Sequence, residues 1–505
     1  MRIYHILIFT YEFDLKLIVD LVYRTHRRKH MFVLALILIF IGYLLFNALR
    51  FRPKKEKKRE AKQIVFDKEA AVSNLRELVK CKTVSYYDSS LEDNKEFNKL
   101  IRTLPKLYPH VAEKLELKKF KGNRALLYCW KGKEEGPASV YMAHFDVVPV
   151  EEELWTKPAF DGVVEDEIMY GRGCLDTKLT VNGILMAAET LLSKGFKPKH
   201  DIYFAFSGQE EIAGEGAITI AKYLKKKGVE FSMILDEGGA VVNGVFPGVK
   251  RDCGLVGIGE KGMLDVELSV KNSGGHASAP DPHTPIGILA EAIRKVENHP
   301  LPYDISEPVE KMFDTLGRHS SFLYRIIFAN INLFKPVLDL LCKKKGGELN
   351  ALIRTTCAFT QMSGSKAPNV IPPKASVVAN IRISPNNTVE SVIEYLQKTI
   401  DDERIEIRIL DGNNPSTISL SDSDAFANIK QSIEDTWNGA LVSPYLMIQC
   451  SDARRYSGIS DKVYRFSAMD VTAEERKTIH GNDERVRIST VYKTVEFFIR
   501  MMSLN

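Results

Sequence analysis

Apolar residues follow two patterns along the first half of the chain. Short uninterrupted runs predict buried strands, and they occupy residues 125–130, 140–143, 202–206 and 232–235. Residues 181–193 instead have helical spacing, with one face formed by Ile184, Leu185, Ala188, Leu191 and Leu192. Strands that alternate with helices predict an α/β fold with a mostly parallel sheet.

The pattern changes near residue 261, where strands with alternating polarity begin. We expect strands at 264–270, 351–360, 375–383 and 405–410, and helices at 286–296 and 389–400. This is the content of a smaller α+β sandwich inserted into the larger domain. The predicted domains are therefore 63–260 and 416–505 for the two parts of the larger domain, with 261–415 inserted and a closing helix at 490–501.

Residues 31–49 form an apolar segment without a charge, which is long enough to span a bilayer as a helix. Basic residues flank it at 27–29 and in the run 50–62. A buried core helix and a cleaved signal peptide are the alternatives, but no small-x-small cleavage site follows and the run is long for a signal peptide. We expect an uncleaved signal anchor, although the heavier basic flank after the segment favours a cytosolic body.

Charge and cysteine usage narrow the function classes. The chain has 505 residues, too many for one simple core, and a net charge of +5. Residues 1–62 carry about +9, so the remainder is mildly acidic at about −4 and we expect no nucleic-acid partner. The seven cysteines are scattered without a Cys-x-x-Cys pair, which is typical of buried small side chains rather than a disulfide framework.

The strongest chemical signal is the sequence Ser-Gly-Gln-Glu-Glu at 207–211, directly after a predicted buried strand. Two adjacent carboxylates there are costly unless a cation or a proton-transfer role holds them. Other metal-binding side chains follow strand ends in the same way, and the ordered set is His144, Asp146, Asp176, Glu210, Glu211, Asp236 and His480. Taken singly, Asp176 also fits a helix cap and Asp236 a turn, but the set has the composition of a zinc site.

Six motifs carry a resemblance to a known family: 142–149 (Met-Ala-His-Phe-Asp-Val-Val-Pro), 170–173, 236–239, 278–280, 369–373 and 479–481. Over about residues 66–500 the chain resembles the zinc aminoacylase/carboxypeptidase metallopeptidases, which include aminoacylase, carboxypeptidase S and acetylornithine deacetylase. Within them it is most similar to the N-fatty-acyl-amino-acid synthase/hydrolase branch. The resemblance implies a di-zinc α/β hydrolase domain with two Zn²⁺ per subunit and an inserted lid or dimerisation domain.

The resemblance also implies a role for individual residues. Asp176 would bridge two zinc ions, with Glu211 and His480 completing one site and His144 and Asp236 the other. Glu210 would be the general base, and Asp146 would orient His144. His276 would polarise the amide oxygen, in dimeric relatives at the neighbouring subunit's site, while Arg382 and Asn369 would bind the substrate carboxylate or carbonyl. The chain departs from close relatives at Thr177, where they carry Asp.

The leading hypothesis is therefore a zinc-dependent hydrolase, and in reverse a synthase, of the amide bond of N-acyl amino acids, with N-fatty-acyl amino acids expected. The alternatives are a carboxypeptidase or dipeptidase of the carboxypeptidase S type, an inactive metal-free binding protein and a membrane-tethered adaptor. A homodimer is expected from the resemblance, as is a body on the lumenal or extracellular side of the membrane. The apolar stretch 321–341 fits a packed core, a dimer contact or a wall for a long acyl chain.

Overall fold

The computed structural model describes residues 30–53, 61–120, 122, 124–244 and 246–504. Its first helix, α1, is His30–Arg50, and within the described part of the chain it is the one helix long and apolar enough to cross a membrane. The basic residues at 27–29 and those at 54–60, which informed the expected orientation, lie outside the described residues.

Fourteen further helices and seventeen strands follow in the described residues. The helices are α2 Lys68–Val79, α3 Asn94–Leu107, α4 Pro109–Lys114, α5 Lys178–Ser193, α6 Gly216–Lys226, α7 Pro285–Asn298, α8 Glu307–His319, α9 Phe322–Ala329, α10 Ile331–Lys345, α11 Gly347–Leu352, α12 Val389–Ile400, α13 Asp424–Thr436, α14 Ala473–Arg476 and α15 Ile488–Ser503. The strands are β1 Glu116–Phe120, β2 Ala125–Trp130, β3 Ala138–His144, β4 Val163–Glu165, β5 Ile168–Tyr170, β6 Ile202–Ser207, β7 Phe231–Val242, β8 Cys253–Glu260, β9 Gly262–Lys271, β10 Gly275–His276, β11 Thr356–Ser363, β12 Val370–Ile371, β13 Lys374–Ile383, β14 Glu406–Asn413, β15 Leu441–Met447, β16 Val463–Val471 and β17 Arg485–Arg487.

The largest sheet has eight strands in the order β1-β2-β6-β3-β7-β16-β8-β15. Its central strands β6, β3, β7 and β16 run parallel, as do β8 and β15 at one edge, whereas β1 and β2 are antiparallel. Strands β2, β3 and β6 are buried along their whole length, which explains their uninterrupted apolar sequences. The expected α/β fold with a mostly parallel sheet is confirmed.

Hydrophobic cores lie on both faces of this sheet. One contains apolar side chains of α2, α5 and α15, such as Leu75, Ile184 and Phe498. The other contains side chains of α6, such as Ile220 and Leu224. Helices on both faces leave the carboxyl ends of the parallel strands as the open edge, which is where sites form in such folds.

A second, antiparallel sheet has the order β11-β13-β9-β14 and a hydrophobic core of its own, to which α7 and α12 contribute. Helix α8 does not join it. Its residues Val309, Met312, Phe313 and Leu316, spaced along one helical face, belong to the first core instead. The interval predicted as an inserted domain, 261–415, thus contributes to the core of the second sheet and also to the first core of the large sheet.

Most predicted elements match the structure, and two differ. Residues 351–352 end helix α11, and the strand expected from 351 starts only at Thr356. The side chain of Arg354 explains the break, because it is buried and donates to Asn350 Oδ1 and to the carbonyl of Leu301. The strand expected at 232–235 continues to Val242. All seven cysteines are free, and five of them are buried.

Candidate metal centre

The Glu-Glu loop after β6 is fixed by a carboxylate that follows β3. The two strands are parallel neighbours, with His144 opposite Ser207 at their carboxyl ends. Asp146, which is fully buried, accepts from the backbone N–H groups of Glu210 (3.1 Å) and Glu211 (3.2 Å) with its two carboxylate oxygens. The side chain that the sequence predicted to orient His144 therefore also holds the loop that carries both glutamates.

Two histidines face the same aspartate from opposite sides. His144 Nε2 lies 3.0 Å from Asp176 Oδ1, and His480 Nε2 lies 3.2 Å from Asp176 Oδ2. His480 Nε2 is also 3.0 Å from Glu211 Oε2. His144 Nδ1 faces Asp146, at 3.0 Å from its backbone carbonyl and 3.5 Å from Oδ1. This arrangement places Asp176 between two sets of donors, as a bridging ligand requires.

The structure places Glu237, and not the predicted Asp236, beside His144. Glu237 Oε1 lies 3.4 Å from His144 Nε2, whereas Asp236 Oδ2 accepts from the backbone N–H of Ala453 at 2.7 Å. Neighbouring residues of a strand point to opposite faces, so only one of the two carboxylates can face His144. The sequence did not distinguish them because β7 continues through both positions and its apolar residues are buried on both faces.

Side chains that the sequence analysis did not single out hold the loop that carries Asp176. The buried Glu484 carboxylate accepts from the backbone N–H groups of Gly173, Leu175 and Asp176, at 2.8 to 3.2 Å. It also accepts from Arg172 at 2.7 Å, and Arg172 donates to the carbonyl of Gly481. The Asp176 loop and the His480 loop are thereby tied together. Arg172 belongs to the 170–173 motif, but nothing local marks Glu484.

The Asp176–Thr177 peptide bond is cis, and Thr177 directly precedes helix α5. The Thr177 side chain is buried and donates to Thr180 Oγ1 at 2.8 Å. With Thr instead of Asp at this position, the side-chain hydroxyl forms a hydrogen bond within the first turn of α5. Asp176 keeps its place beside the two histidines.

The pKa values of the site are shifted because several carboxylates lie close to two histidines, His144 and His480. Hydrogen bonds to Asp176 and Glu211 raise the pKa of His480 to about 10. Burial opposes ionisation of Asp176, but hydrogen bonds from the two histidines outweigh it and lower its pKa. Burial raises the pKa of Glu211 to about 7. Burial also raises the pKa of Glu210 well above its usual value, with His144 opposing and Glu237 adding to the shift.

The donor set fits divalent metal ions. Two groups of ligand atoms each lie within 4.8 Å of one another, His144 with Glu210 and Glu237, and His144 with Asp176 and Glu211. Several buried carboxylates that raise one another's pKa lose that repulsion when a cation binds between them. Imidazole and carboxylate donors in this combination are those that zinc takes in hydrolases.

A cavity of about 300 Å³ opens over this cluster. Its polar floor contains Asp176, Glu210, Glu211, Glu237 and His480. Its walls are mostly apolar and include Ala240, Val242, Leu255, Tyr445, Met447, Met469, Val471 and Ile479. The stretch 321–341 does not line this cavity, whose lining comes from residues 175–255 and 445–480.

The three remaining predicted site residues lie in the segment 261–415: His276 is in β10, Asn369 directly precedes β12, which pairs with β10 in a two-stranded sheet, and Arg382 is in β13 of the four-stranded sheet. His276 is exposed in β10, and its Nδ1 accepts from the backbone N–H of Ser278 at 3.1 Å. Asn369 accepts from the N–H of Ala277 with its backbone carbonyl. Arg382 donates to the thiol sulfur of Cys450, a residue that lines the cavity. Within the described residues, Arg382 is thus the one of these three whose side chain forms a hydrogen bond to a residue that lines the cavity.

Comparisons with known proteins agree with this geometry. The model of peptidase family M20/M25/M40 matches residues 140–504. A probable carboxypeptidase S-like protein of Dictyostelium discoideum is 35% identical over 481 residues, covering 92% of each chain. The N-fatty-acyl-amino acid synthase/hydrolase PM20D1 of Xenopus tropicalis is 33% identical over 483 residues, 93% of this chain and 92% of that protein.

A solved structure shows the same fold. The M20 family metallo-carboxypeptidase Sso-CP2 from Sulfolobus solfataricus aligns with a TM-score of 0.64 over 86% of this chain and 98% of its own, at 20% identity. At that identity the likeness concerns the fold alone. From the family match and the two relatives, this chain belongs to peptidase family M20/M25/M40 and is a metallohydrolase that cleaves amide bonds.

Proposed function

We propose that the chain hydrolyses, and in reverse forms, the amide bond of N-acyl amino acids with long acyl chains, using two zinc ions. The observation that carries this proposal is the cavity, whose polar floor of carboxylates and histidines is walled mainly by apolar side chains. A scissile amide fits the floor, and an acyl chain fits the walls. The relative named N-fatty-acyl-amino acid synthase/hydrolase supports this substrate class.

The proposed ligands are His144 and Glu237 for one ion, His480 and Glu211 for the other, and Asp176 between them. Divalent ions held there would lower the pKa of a water molecule towards neutrality and polarise the amide carbonyl. Glu237 replaces Asp236 in this assignment because of its position beside His144.

Glu210 is the proposed general base. Its carboxylate lines the cavity beside the proposed metal ligands, and burial raises its pKa above the usual value. Asp146 fixes its position by accepting from its backbone N–H. The same carboxylate would return the proton to the leaving amine.

We propose that residues of the segment 261–415 complete the substrate site. Arg382, beside Cys450 at the cavity, would pair with the free carboxylate of the amino-acid part in a bidentate contact. Asn369 and His276 would bind the carbonyl oxygen of the scissile amide. His276 would reach it from a second copy of the chain, or from the same chain if the segment 261–415 closes over the cavity. A homodimer is part of this proposal.

The test is a substrate panel with the zinc-loaded full chain, comparing N-oleoyl-leucine, N-acetyl-leucine and alanyl-leucine. We expect the highest kcat/KM for N-oleoyl-leucine and bound zinc at two ions per chain by elemental analysis. Glu210→Gln should lower kcat by about 10² to 10⁴ while the zinc content is retained. A carboxypeptidase of the kind named in the Dictyostelium relative would prefer alanyl-leucine, and that result would reject the acyl-chain specificity.

We also propose that α1 is an uncleaved signal anchor with the body on the lumenal or extracellular side. Its length of 21 residues and its exposed apolar side chains support a span. The expected result is a chain that resists alkaline extraction from membranes and is glycosylated when a tested acceptor site is placed in the body. An unglycosylated body accessible to cytosolic protease would reverse the orientation.

A further inference from the structure

Helix α10 shows its apolar face to the outside. Leu333, Val337, Leu340 and Leu341 are 51%, 53%, 67% and 58% exposed, and their spacing places them on one face of the helix. The single buried residue of α10 is Cys342. In a helix that packs on a protein core, such a face would be the buried one.

Helix α9 extends this surface. It has no buried residue, and Phe322, Leu323 and Tyr324 are all exposed, Leu323 by 76%. Together with the α10 face they form the α9–α10 patch, defined as residues 322–324, 333, 337, 340 and 341. Exposed apolar surface of this kind marks an interaction site.

The polar side of α10 is occupied, so the orientation of the helix is fixed. Asp339 pairs with the buried guanidinium of Arg354 and with Lys343 at 2.9 Å. A helix held by these contacts cannot turn its apolar face inward without breaking a buried ion pair.

The junction between α9 and α10 contacts α1. Asn330, between α9 and α10, accepts from Asn47 Nδ2 at 2.7 Å and donates to the carbonyl of Leu44 at 3.2 Å. The Arg318 guanidinium lies 4.4 Å from the centre of the Phe51 ring, and Ala48 is fully buried. The last two turns of α1 therefore pack against Asn330, which separates the two helices of the patch, and the residue after α1 packs against the end of α8.

These contacts set the depth of the patch relative to α1. At 1.5 Å per residue, a helix of 21 residues is about 31 Å long, close to the thickness of a bilayer's hydrocarbon core. Leu44 lies six residues before the helix end at Arg50, so its contact with Asn330 is about 9 Å inside that end. Amphipathic helices at a membrane surface bury their apolar face about 5–10 Å into the headgroup boundary.

We propose that the α9–α10 patch docks on the lipid bilayer and inserts its apolar side chains into the leaflet from which α1 emerges. The exposed lysines Lys343, Lys344 and Lys345 end α10, and the exposed Arg50 and Arg52 lie at the end of α1, so both elements place positive charge at the level of the lipid phosphate groups. The chain is then held at the membrane by a span and by a surface element, and the enzyme body is fixed against the lipid.

The test uses tryptophan fluorescence of the full chain reconstituted in liposomes of phosphatidylcholine and phosphatidylglycerol. The three native tryptophans are buried in the body and supply a constant background. We expect Leu323→Trp and Leu340→Trp to show blue-shifted emission that is quenched when the lipids carry bromine on their acyl chains. Leu117→Trp is the control, because this exposed residue lies in β1, at the opposite edge of the eight-stranded sheet from β15, on which α8 packs.

Quenching no greater than that of Leu117→Trp at both positions would overturn the proposal. A blue shift without quenching, together with a crosslinked dimer, would assign the patch to a second copy of the chain and would also overturn it. A Leu340→Glu, Leu341→Glu double substitution in the Leu323→Trp background should reduce the quenching while circular dichroism stays unchanged. Full quenching in that background would show that α10 does not insert.

Discussion

The carboxyl edge of the eight-stranded sheet and the segment 261–415 differ in how their predicted site residues are held. At the carboxyl edge of the large sheet, buried carboxylates fix two of the loops that carry candidate ligands: Asp146 holds the Glu210 loop and Glu484 holds the Asp176 loop. In the segment 261–415, His276 is exposed in the two-stranded sheet β10–β12, and its imidazole Nδ1 contacts Ser278, two residues further along the chain. The difference teaches that the proposed metal ligands are gathered at one sheet edge and held there by distant parts of the chain, whereas the residues proposed to bind the substrate come from other elements.

This contrast has a consequence for mutations. Changes at the large-sheet edge should alter metal binding and activity together, since the same contacts hold both. Changes at His276, Asn369 or Arg382 should alter activity alone, because none of these residues belongs to the groups of ligand atoms in the described part of the chain. The predictions below test that separation.

The largest effect is expected for Glu237→Ala compared with Asp236→Asn. Loss of the Glu237 carboxylate beside His144 should remove one metal ion and lower kcat/KM by about 10³-fold or more, because Lewis-acid stabilisation is worth several kcal/mol. Asp236→Asn keeps an oxygen for the N–H of Ala453, so its zinc content should stay at the wild-type value. Elemental analysis and kinetics measure both, and the reverse order of effects would restore Asp236 as the ligand.

Next in size is His276→Ala, which should lower kcat by about 10² to 10³, as loss of an oxyanion donor does. Zinc content and Tm should stay unchanged because the side chain is exposed. His283→Ala, an exposed histidine in the same segment, is the matched control. Unchanged kinetics for His276→Ala would remove it from the site.

A complementation experiment sharpens this prediction. If His276 acts in the neighbouring subunit, mixing Glu210→Gln chains with His276→Ala chains should restore part of the activity that both lack alone. Mixed dimers then contain one site with both residues intact. Activity that stays at the level of the separate variants would place His276 in its own chain's site.

Local sequence predicted the elements well where the contacts that form them are local. Helix α12 was predicted with its observed ends, because Thr388 and Ser391 form a capping box and its apolar residues share one face. Packing between distant segments was not predictable in this way. The apolar face of α8 fits either hydrophobic core equally well by pattern, and only the structure shows that it joins the first one.

The candidate site follows the same rule. His144 and Glu211 stand out because they follow buried strands, and Asp176 because it lies in a loop that enters a helix. His480 has no such local signal and was predicted only as part of the ordered set, and the structure brings all four together. The choice between Asp236 and Glu237 depends on which face of β7 lies on the same side of the sheet as His144. The local sequence does not indicate that side, because both residues lie within β7. Glu484 has no local signal either, since its partners lie about 310 residues earlier in the chain.

A smaller effect is expected for Glu484→Gln. The amide keeps the shape but loses the charge that pairs with Arg172, and its NH₂ group cannot accept from the loop N–H groups. Zinc affinity should fall about 10- to 100-fold, as for other residues that orient metal ligands. Competition with a chelator measures it, and Glu475→Gln, which pairs with Arg487 in the same part of the chain, is the control. Equal zinc affinity in both variants would show that Glu484 has no positioning role.

The smallest effect concerns Lys261, at the junction between β8 and β9. Burial and the nearby Arg382 charge lower its pKa from 10.5 to about 7. Between these values the unfolded chain binds a proton that the folded chain does not, so the Lys261 contribution to the free energy of unfolding rises with pH, by at most about 1.4 kcal/mol per pH unit. Below pH 7 both states are protonated and the contribution is constant.

Lys261→Met should remove this contribution, so the stability of the wild type relative to the variant should increase from pH 7 to pH 10. The loss of the hydrogen bonds from Lys261 to the carbonyls of Ala351 and Arg354 adds a cost that does not change with pH. Urea unfolding at several pH values measures the difference, and Lys271→Met, which removes an exposed amine paired with Glu406, is the control. Because Arg382 contributes to the shift, Arg382→Gln should weaken the same pH dependence. A pH-independent difference for Lys261→Met would show that the charges at the junction of the two units are not coupled.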